Sequence, residues 1–579
     1  MIKVENLSYS FPQKDLYKNI SFTLEAGEHC AFIGRNGSGK STLIDIIMDP
    51  EKYIFDGNLE IDPNCRIGYV SQFSQLDKIE ETTVLQYIGE KFIKLQNEIT
   101  SICSEMETSS DIEPLLEKYQ EALDAFNAIN GDDFENNINK NLNLANLNKC
   151  KDLMISELSG GEFKLIQVIK EMLNSPELII MDEPDVFLDF ENLNSLKNLI
   201  NSHKGTMLII THNRYLLNYC FNKILHLENM ELQEFEGNYI DYNFSLLQTK
   251  IEMQELAIAD NEEIERNEKL IKKLRDIATE NAEGAKGKSL RARVKIQERL
   301  EKRRIKAPFL DIKHPNFRFF IDNRIEETIA LKVSDYSVAF DELLLENVNF
   351  EIKSNEKVAI IGPNGTGKTT LLREIFENNN PSIEINEDME VAYLSQLQGE
   401  TLKESNTILE EFLEAGFKNY EDVTDYISDY GFEEDALNQK IGSLSGGEKN
   451  ILQIAKVSAS KANFLLLDEP TSHLDTYSQI ALEKAIEKYK GAILMISHDF
   501  YTVVNCMDSV LIIEDKTIRK TNIRKFRKMI YANHFNKDYL EIEQKKKLVE
   551  AKIELALKNT DFTLAKELSE ELEELIELL

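Results

Sequence analysis

The 579-residue chain has no hydrophobic stretch long enough to cross a membrane, because a spanning helix needs about 20 consecutive, largely apolar residues. That excludes a helical membrane protein. The six cysteines, Cys30, Cys65, Cys103, Cys150, Cys220 and Cys506, form no CxxC pair and no zinc or iron-sulfur spacing. A metal cluster is excluded, and reduced thiols that serve as packing residues are expected. Basic charge is scarce: 67 Lys and Arg face 102 Asp and Glu, for a net charge of -35. Such a surface favours solubility and, on average, repels nucleic acid, so any contact with nucleic acid must be local. A secretory leader is also missing. Met1 to Asn6 enters a strand pattern without the charged start, apolar stretch and cleavage site of a signal peptide, so the chain is expected to stay in the cytoplasm.

What is present is a repeat. Gly34-Arg35-Asn36-Gly37-Ser38-Gly39-Lys40-Ser41 is followed by Leu158-Ser159-Gly160-Gly161-Glu162 and then by Asp182-Glu183. The same order returns as Gly362-Pro363-Asn364-Gly365-Thr366-Gly367-Lys368-Thr369, Leu444-Ser445-Gly446-Gly447-Glu448 and Asp468-Glu469. A P-loop alone is moderately specific, but the three motifs twice and in order leave no room for chance. These are the marks of two ATP-binding cassettes. The expected fold is α/β, with two tandem P-loop nucleotide-binding domains, at 1–241 and 329–530.

The first half holds about 38 residues more than the second between Gln72 and Leu158. They read as a helical arm over about 83–128. Ile88, Phe92, Leu95, Ile99, Ile102 and Met106 recur at spacings of four and three. After Thr108-Ser109-Ser110-Asp111, Leu116, Tyr119, Leu123 and Phe126 form a second stripe, so the two should bury one another. Residues 242–328 read as a charged helical-hairpin linker, broken around Asn281 to Gly287. Its returning arm carries ten basic residues between 284 and 306, among them Lys286, Lys288, Arg291, Arg293 and Lys295, against only Glu298 and Glu301. Residues 531–579 read as a small helical extension, with Leu548, Ile553, Leu564, Leu568 and Leu572 at mostly helical spacings.

The chemistry follows from residue type. P-loop glycines turn backbone N–H groups toward phosphates at a helix N-terminus, where Lys40 or Lys368 neutralises charge and Ser41 or Thr369 offers an oxygen to Mg2+. Gly34, Asn36, Gly37, Gly39 and Thr42 complete one loop; Gly362, Asn364, Gly365, Gly367 and Thr370 complete the other. Buried strands Leu178 to Met181 and Phe464 to Leu467 end in acidic pairs. Asp182 and Asp468 suit the metal shell, and Glu183 and Glu469 suit polarising the attacking water. Gln72 and Gln396 stand where a polar side chain could sense metal and water. His212 and His498, each after an apolar strand, could contact the γ-phosphate. Phe11 and Phe340 could stack on adenine, although aromatics in short strands are as often simply packed.

These motifs, with Leu467-Asp468-Glu469-Pro470-Thr471-Ser472-His473-Leu474-Asp475, Ser497-His498-Asp499, the arm and the linker ending in Ser289-Leu290-Arg291-Ala292-Arg293, resemble the ABC-F ATPases over essentially the whole chain. The resemblance implies ATP and Mg2+, and two cassettes that close head-to-tail within a monomer. Site one would combine Lys40, Ser41, Gln72, Asp182, Glu183 and His212 with Ser445 and Gly447. Site two would combine Lys368, Thr369, Gln396, Asp468, Glu469 and His498 with Ser159 and Gly161. It further implies a ribosomal partner: the linker would pass through the E site to P-site tRNA and the peptidyl-transferase centre, its basic arm meeting RNA phosphates. Two features depart from the family. The first acidic strand continues Pro184-Asp185-Val186-Phe187-Leu188-Asp189 where the family has Thr-Asn-His, and its switch reads Thr211-His212-Asn213. Site one is therefore the candidate for slower turnover. A translation factor, or within that class a protein that protects the ribosome from an antibiotic, leads two alternatives. A covalent tandem with a basic linker disfavours an exporter subunit, and the acidic C-terminal helices disfavour a DNA-repair ATPase.

Overall fold

The computed structural model describes residues 1–11, 14–72, 82–108, 112–186, 188–280, 315–321, 327–340, 343–534 and 539–577. It divides into two compact units, one comprising Met1–Asn238 with Lys313–Met529, the other Tyr239–Ile312 with Ile530–Leu579.

The first unit is built twice on one plan. Leu178–Asp182, Thr206–Ile210, Phe464–Asp468 and Ala492–Ile496 are buried at every position, as continuous apolar runs demand of strands covered on both faces. Among the described residues the first six-stranded sheet runs Ile67–Val70, Leu178–Asp182, Thr206–Ile210, His29–Gly34, Lys223–Glu228, Glu231–Glu236; only the last pair is antiparallel. The second runs Val391–Leu394, Phe464–Asp468, Ala492–Ile496, Lys357–Ile361, Ser509–Glu514, Thr517–Asn522, again with one antiparallel edge. A three-stranded antiparallel sheet accompanies each: Lys14–Leu24, Ile2–Phe11, Asp56–Ile61 in the first half, and Leu343–Lys353, Ile329–Ala339, Ile383–Ile385 in the second. In the first half, Val4, Leu7 and Phe22 of the small sheet share a core with Phe32, Ile180 and Leu208 of the large one. The α/β architecture with two repeated parallel sheets is as the motifs imply. Gly34, Gln72, Asp182 and His212 all fall at or just beyond the carboxyl ends of neighbouring parallel strands, where open α/β sheets bind ligands.

The arm forms helices Glu90–Thr108 and Glu113–Ala128, and Phe92 meets Phe126 with ring centroids 5.4 Å apart. One expected position is corrected: Leu116 is 52% exposed, and Leu115 takes the inner place. The inward stripe is Leu115, Tyr119, Ala122, Leu123 and Phe126, with Ala122 buried and the others half-buried, on one helix face.

In the second unit, helix Tyr239–Glu280 contributes Ile251 to a core with Val549, Ile553, Ala556, Ala565, Leu568 and Leu572. Those residues lie on helices Tyr539–Lys558 and Phe562–Glu577, and Lys566 Nζ meets Glu255 Oε2 at 2.6 Å. The tail, which its sequence sets apart as an appendage, is thus packed on the start of the linker. Leu548 and Leu564 are corrected: they point outward, 64% and 42% exposed, while Val549 and Ala565 beside them are buried.

Candidate functional site

Each P-loop is a strand, a tight turn and a helix. Gly39 precedes helix Lys40–Met48 with φ 102°, and Gly367 precedes Lys368–Glu377 with φ 88°, backbone that glycine adopts without strain. Lys40 Nζ donates to the carbonyls of Gly34 (2.8 Å) and Arg35 (2.9 Å), and Lys368 Nζ to those of Gly362 (2.9 Å) and Pro363 (2.7 Å). Each loop therefore wraps its own cation. Burial lowers both lysine pKa values, while Glu183 beside Lys40 and Glu469 beside Lys368 oppose the shift.

The signature segments are helix starts. Ser159 and Ser445 cap helices Gly160–Leu173 and Gly446–Ala459, each in a capping box with the Glu three residues on, which explains the last residue of both LSGGE motifs. Gly447 leaves no room for a side chain beside Asn36 of the first cassette. A Cβ there would sit 1.9 Å from Asn36 Nδ2 and 2.6 Å from the His473 carbonyl oxygen.

Two cavities hold most of the sequence-derived residues, each lined from both halves; His212, expected beside Lys40, lines the cavity of Lys368 instead, and Asp182, Gly34 and Gly362 line neither. One, of about 870 Å³, brings Phe11, Lys40, Ser41 and Gln72 together with Ser445 and Gly447. The other, of about 440 Å³, brings Lys368, Thr369, Gln396, Glu469 and His498 together with Gly161. Ser159 does not line the second cavity. Phe340, 70% exposed, lines neither. Lys286, Lys288, Arg291, Arg293 and Lys295 lie outside the described residues.

The acidic pairs sit on strained backbone. Glu183 and Glu469 have φ 46° and 50°, a region that costs a non-glycine residue of order 1 kcal/mol and clusters at functional sites. Each is pinned by its N–H, which donates to Ile210 or Ile496 at 2.9 Å. The two glutamates then differ. Glu183 Oε2 accepts from Gln72 Nε2 at 2.5 Å and lies 3.6 Å from His473 Nδ1 of the other cassette. Burial pushes its pKa up, but the His473 bond and nearby positive charge prevail and lower it. At the position matching His473 the first cassette has Phe187, which can offer Glu469 no such bond. Glu469 is pushed up to about 8, by burial first and by Asp468 second.

Burial also raises Asp182, against the Ser41 hydroxyl and Lys40, and takes Asp468 up to about 6. The Thr369 hydroxyl is near enough to lower Asp468, yet neither carboxylate oxygen of Asp468 has a partner in hydrogen-bonding geometry. Two bare buried oxygens beside a hydroxyl fit a Mg2+ ion. No trio of His, Cys, Asp or Glu among the described residues forms a protein-only cage, as expected where Mg2+ takes most of its oxygens from phosphates and water. His212 is held down to about 4 by burial and Lys40, and His498 lower still by burial and Lys368. Both ring nitrogens of His212 lack partners. A neutral imidazole so placed could donate to a phosphate oxygen.

Asp189 and Asp475 were missed as site residues. With one carboxylate oxygen each caps a helix, accepting from Asn192 (2.9 Å) or Ser478 (2.8 Å). With the other it crosses to the opposite P-loop, accepting from the backbone N–H of Asn364 at 3.2 Å or Asn36 at 3.3 Å. Their signal was an Asp directly before an amphipathic helix, which reads as an N-cap but carries no hint of a second bond.

Two P-loops, each facing the signature helix of the other half, define a tandem nucleotide-binding ATPase. Among the described residues no helix is long and apolar enough to cross a membrane. The family model described as ABC transporter matches residues 17–186 and 345–472, more than half of the chain. ABC transporter F family member 5 of Arabidopsis thaliana is 29% identical over 530 residues, 89% of this chain and 75% of its own. The energy-dependent translational throttle protein EttA of Escherichia coli is 28% identical over 521 residues, 87% of this chain and 90% of its own. Among solved structures, the archaeal ribosome recycling factor aABCE1 aligns with TM-score 0.54 and 17% identity, over 91% of this chain and 92% of that one, a likeness of fold. The chain belongs to the ABC transporter family, in its twin-cassette F branch; it is an ATPase that binds ATP.

Proposed function

We propose that this ATPase is a cytoplasmic translation factor that binds the ribosome as a closed, ATP-loaded monomer. It enters through the E site, and the linker between its cassettes acts on P-site tRNA and the peptidyl-transferase centre. The observation that carries the reading is near full-length likeness to a protein named a translational throttle. A described surface supports it. Strand Thr517–Asn522 and helix Ile523–His534 close the second cassette with Lys516, Arg519, Lys520, Arg524, Lys525 and Lys528, all exposed. Arg519 pairs with Glu514 at 3.4 Å and Lys520 with Glu356 at 2.7 Å. The matching strand of the first cassette, Glu231–Glu236, carries Glu231, Glu234 and Glu236 instead. In a chain of net charge -35, a basic face confined to one cassette suits an RNA backbone.

In the chemistry proposed, P-loop N–H groups and Lys40 or Lys368 hold the phosphates, and Gly447 or Gly161 closes over them from the opposite half. Mg2+, when bound by Ser41 and Asp182 or by Thr369 and Asp468, with Gln72 or Gln396 near its water shell, supplies charge neutralisation of the β- and γ-phosphates. Glu183 and Glu469 orient the attacking water and take its proton; His212 and His498 donate to the γ-phosphate. Hydrolysis removes the group that bridges the cassettes, so closure and ribosome binding end together.

The test is a Glu183→Gln, Glu469→Gln double variant, which should bind ATP, stay closed, pellet with ribosomes only when ATP is present, and inhibit protein synthesis. A variant that binds ATP without hydrolysing it, yet neither pellets with ribosomes nor slows translation, refutes the proposal and favours an exporter subunit or a DNA-repair ATPase. Ribosome protection against an antibiotic is the narrower form of the reading, and drug-challenged growth with and without the gene tests it.

A further inference from the structure

Behind the two switch histidines lies a contact that the pseudo-symmetry of the cassettes does not repeat. Arg214, two residues past His212, reaches into the second cassette. Its Nη2 donates to Asp499 Oδ2 at 2.8 Å, to Glu483 Oε1, and to Thr502 Oγ1 at 3.4 Å, and its guanidinium lies 5.0 Å over the Tyr501 ring. The side chains of Arg214, Glu483 and Asp499 are 11%, 12% and 15% exposed. Asp499 is the residue after His498, and its other oxygen caps helix Phe500–Cys506 by accepting from Tyr501 N–H at 2.9 Å.

The reverse contact does not exist. The residue matching Arg214 is Phe500, the one matching Asp499 is Asn213, and the one matching Glu483 is Lys197. Lys197 Nζ donates to Tyr215 of its own cassette at 2.9 Å, and the Asn213 side chain caps its own helix. One cassette therefore brings the cation and the other both anions, and Asp499 beside His498 is held across the interface. That tie lies one residue from the reacting groups: the N–H of His498 donates to Glu469 Oε2 at 3.3 Å, and His498 Nε2 is 3.3 Å from Glu469 Oε1.

We propose that Arg214 is a positioning residue for the second ATP site, holding Asp499 so that His498 and Glu469 take their working geometry only while the first cassette is docked. A planar cation whose Nη2 is held between two carboxylates fixes direction as well as distance. Hydrolysis at site two then depends on closure. The inference rests on the assignment of His498 and Glu469 to catalysis at site two, and does not depend on the ribosome.

The experiment uses the full-length protein without ribosomes and measures kcat and KM for ATP in Arg214→Met, Arg214→Lys, Asp499→Asn, the Arg214→Met plus Asp499→Asn double variant, and His498→Ala. Expected is a loss of roughly tenfold or more in kcat for Arg214→Met and for Asp499→Asn with KM within about twofold, the pattern of an interaction made in the transition state. The double variant should be no slower than the slower single one, since coupled partners are non-additive, and Arg214→Lys should recover part of the rate. A simple interface clamp would instead raise KM and leave saturated kcat intact; that result, or additive losses, overturns the proposal. If Arg214→Met does not fold, Asp499→Asn keeps the capping oxygen and carries the same test. If His498→Ala leaves kcat unchanged, the site assignment falls; if it lowers kcat and the Arg214 and Asp499 variants do not, only this inference falls.

Discussion

Gly447→Ala should disturb both the packing of the second cassette and its closure on the first. In the paired cassettes a methyl group at this position would stand 1.9 Å from Asn36 Nδ2 and 2.6 Å from the His473 carbonyl oxygen. The Asn36 amide could swing away, losing its 2.5 Å bond to that carbonyl, but the carbonyl is backbone in a loop fixed by the Asp475 cap and cannot. Overpacking of this kind costs about 1–3 kcal/mol, and because His473 belongs to the same cassette as Gly447 the cost falls on that cassette's own packing as well as on its closure against Asn36. The helix itself has no objection: Gly447 does not need a left-handed backbone, and alanine favours a helix over glycine by up to about 1 kcal/mol. The variant should still melt lower than wild type, and its ATPase rate should fall at least about tenfold. Two controls share the motif without the clash. A Cβ at Gly446 would meet nothing nearer than the His473 ring at 3.5 Å, and one at Gly160 nothing within 4 Å, so Gly446→Ala and Gly160→Ala should stay within about twofold of wild type. Steady-state phosphate release and thermal unfolding on the same preparations decide it. A Gly447→Ala protein with wild-type turnover would refute the head-to-tail reading of the two sites.

Lys40→Ala and Lys368→Ala should each cut turnover sharply, because each removes the cation its P-loop wraps and closure needs both sites; two single variants at wild-type rates would contradict composite sites. Glu228, buried beside Arg35, has its carboxyl pushed up from 4.5 to about 7 by burial. Between those values the folded protein keeps a proton that the unfolded chain has released. Its contribution is therefore complete below about pH 4.5 and is lost as pH rises toward 7. Glu228→Gln should remove that slope, so that its melting temperature, relative to wild type, rises between pH 4.5 and 7; a constant difference across the window would show that Glu228 does not titrate there.

The sequence by itself determined what is written locally and repeated: two P-loops, two LSGGE helix starts, two acidic strand ends, and hence the α/β plan. Each of these is a short run whose residue types dictate its own backbone. Glycines allow the turn before Lys40 and Lys368, Ser159 and Ser445 cap helices three residues ahead of a Glu, and unbroken apolar runs must be strands covered on both faces. The sequence also gave the helical arm, though not which neighbour faces inward, because Leu115 and Leu116 satisfy the pattern almost equally until a partner helix selects one. Only the tertiary structure decided what depends on residues far apart in the chain. Asp189 and Asp475 read as helix caps until their second oxygens were seen to reach the opposite P-loop, and Arg214 reads as a surface cation until Glu483 and Asp499 are brought around it. Only packing showed that His473 reaches Glu183 of the other cassette. The pairing of the linker helix at Ile251 with Ile553 and Leu572 was likewise invisible, since a stripe of apolar residues specifies that a face is buried but carries no address for the surface that buries it.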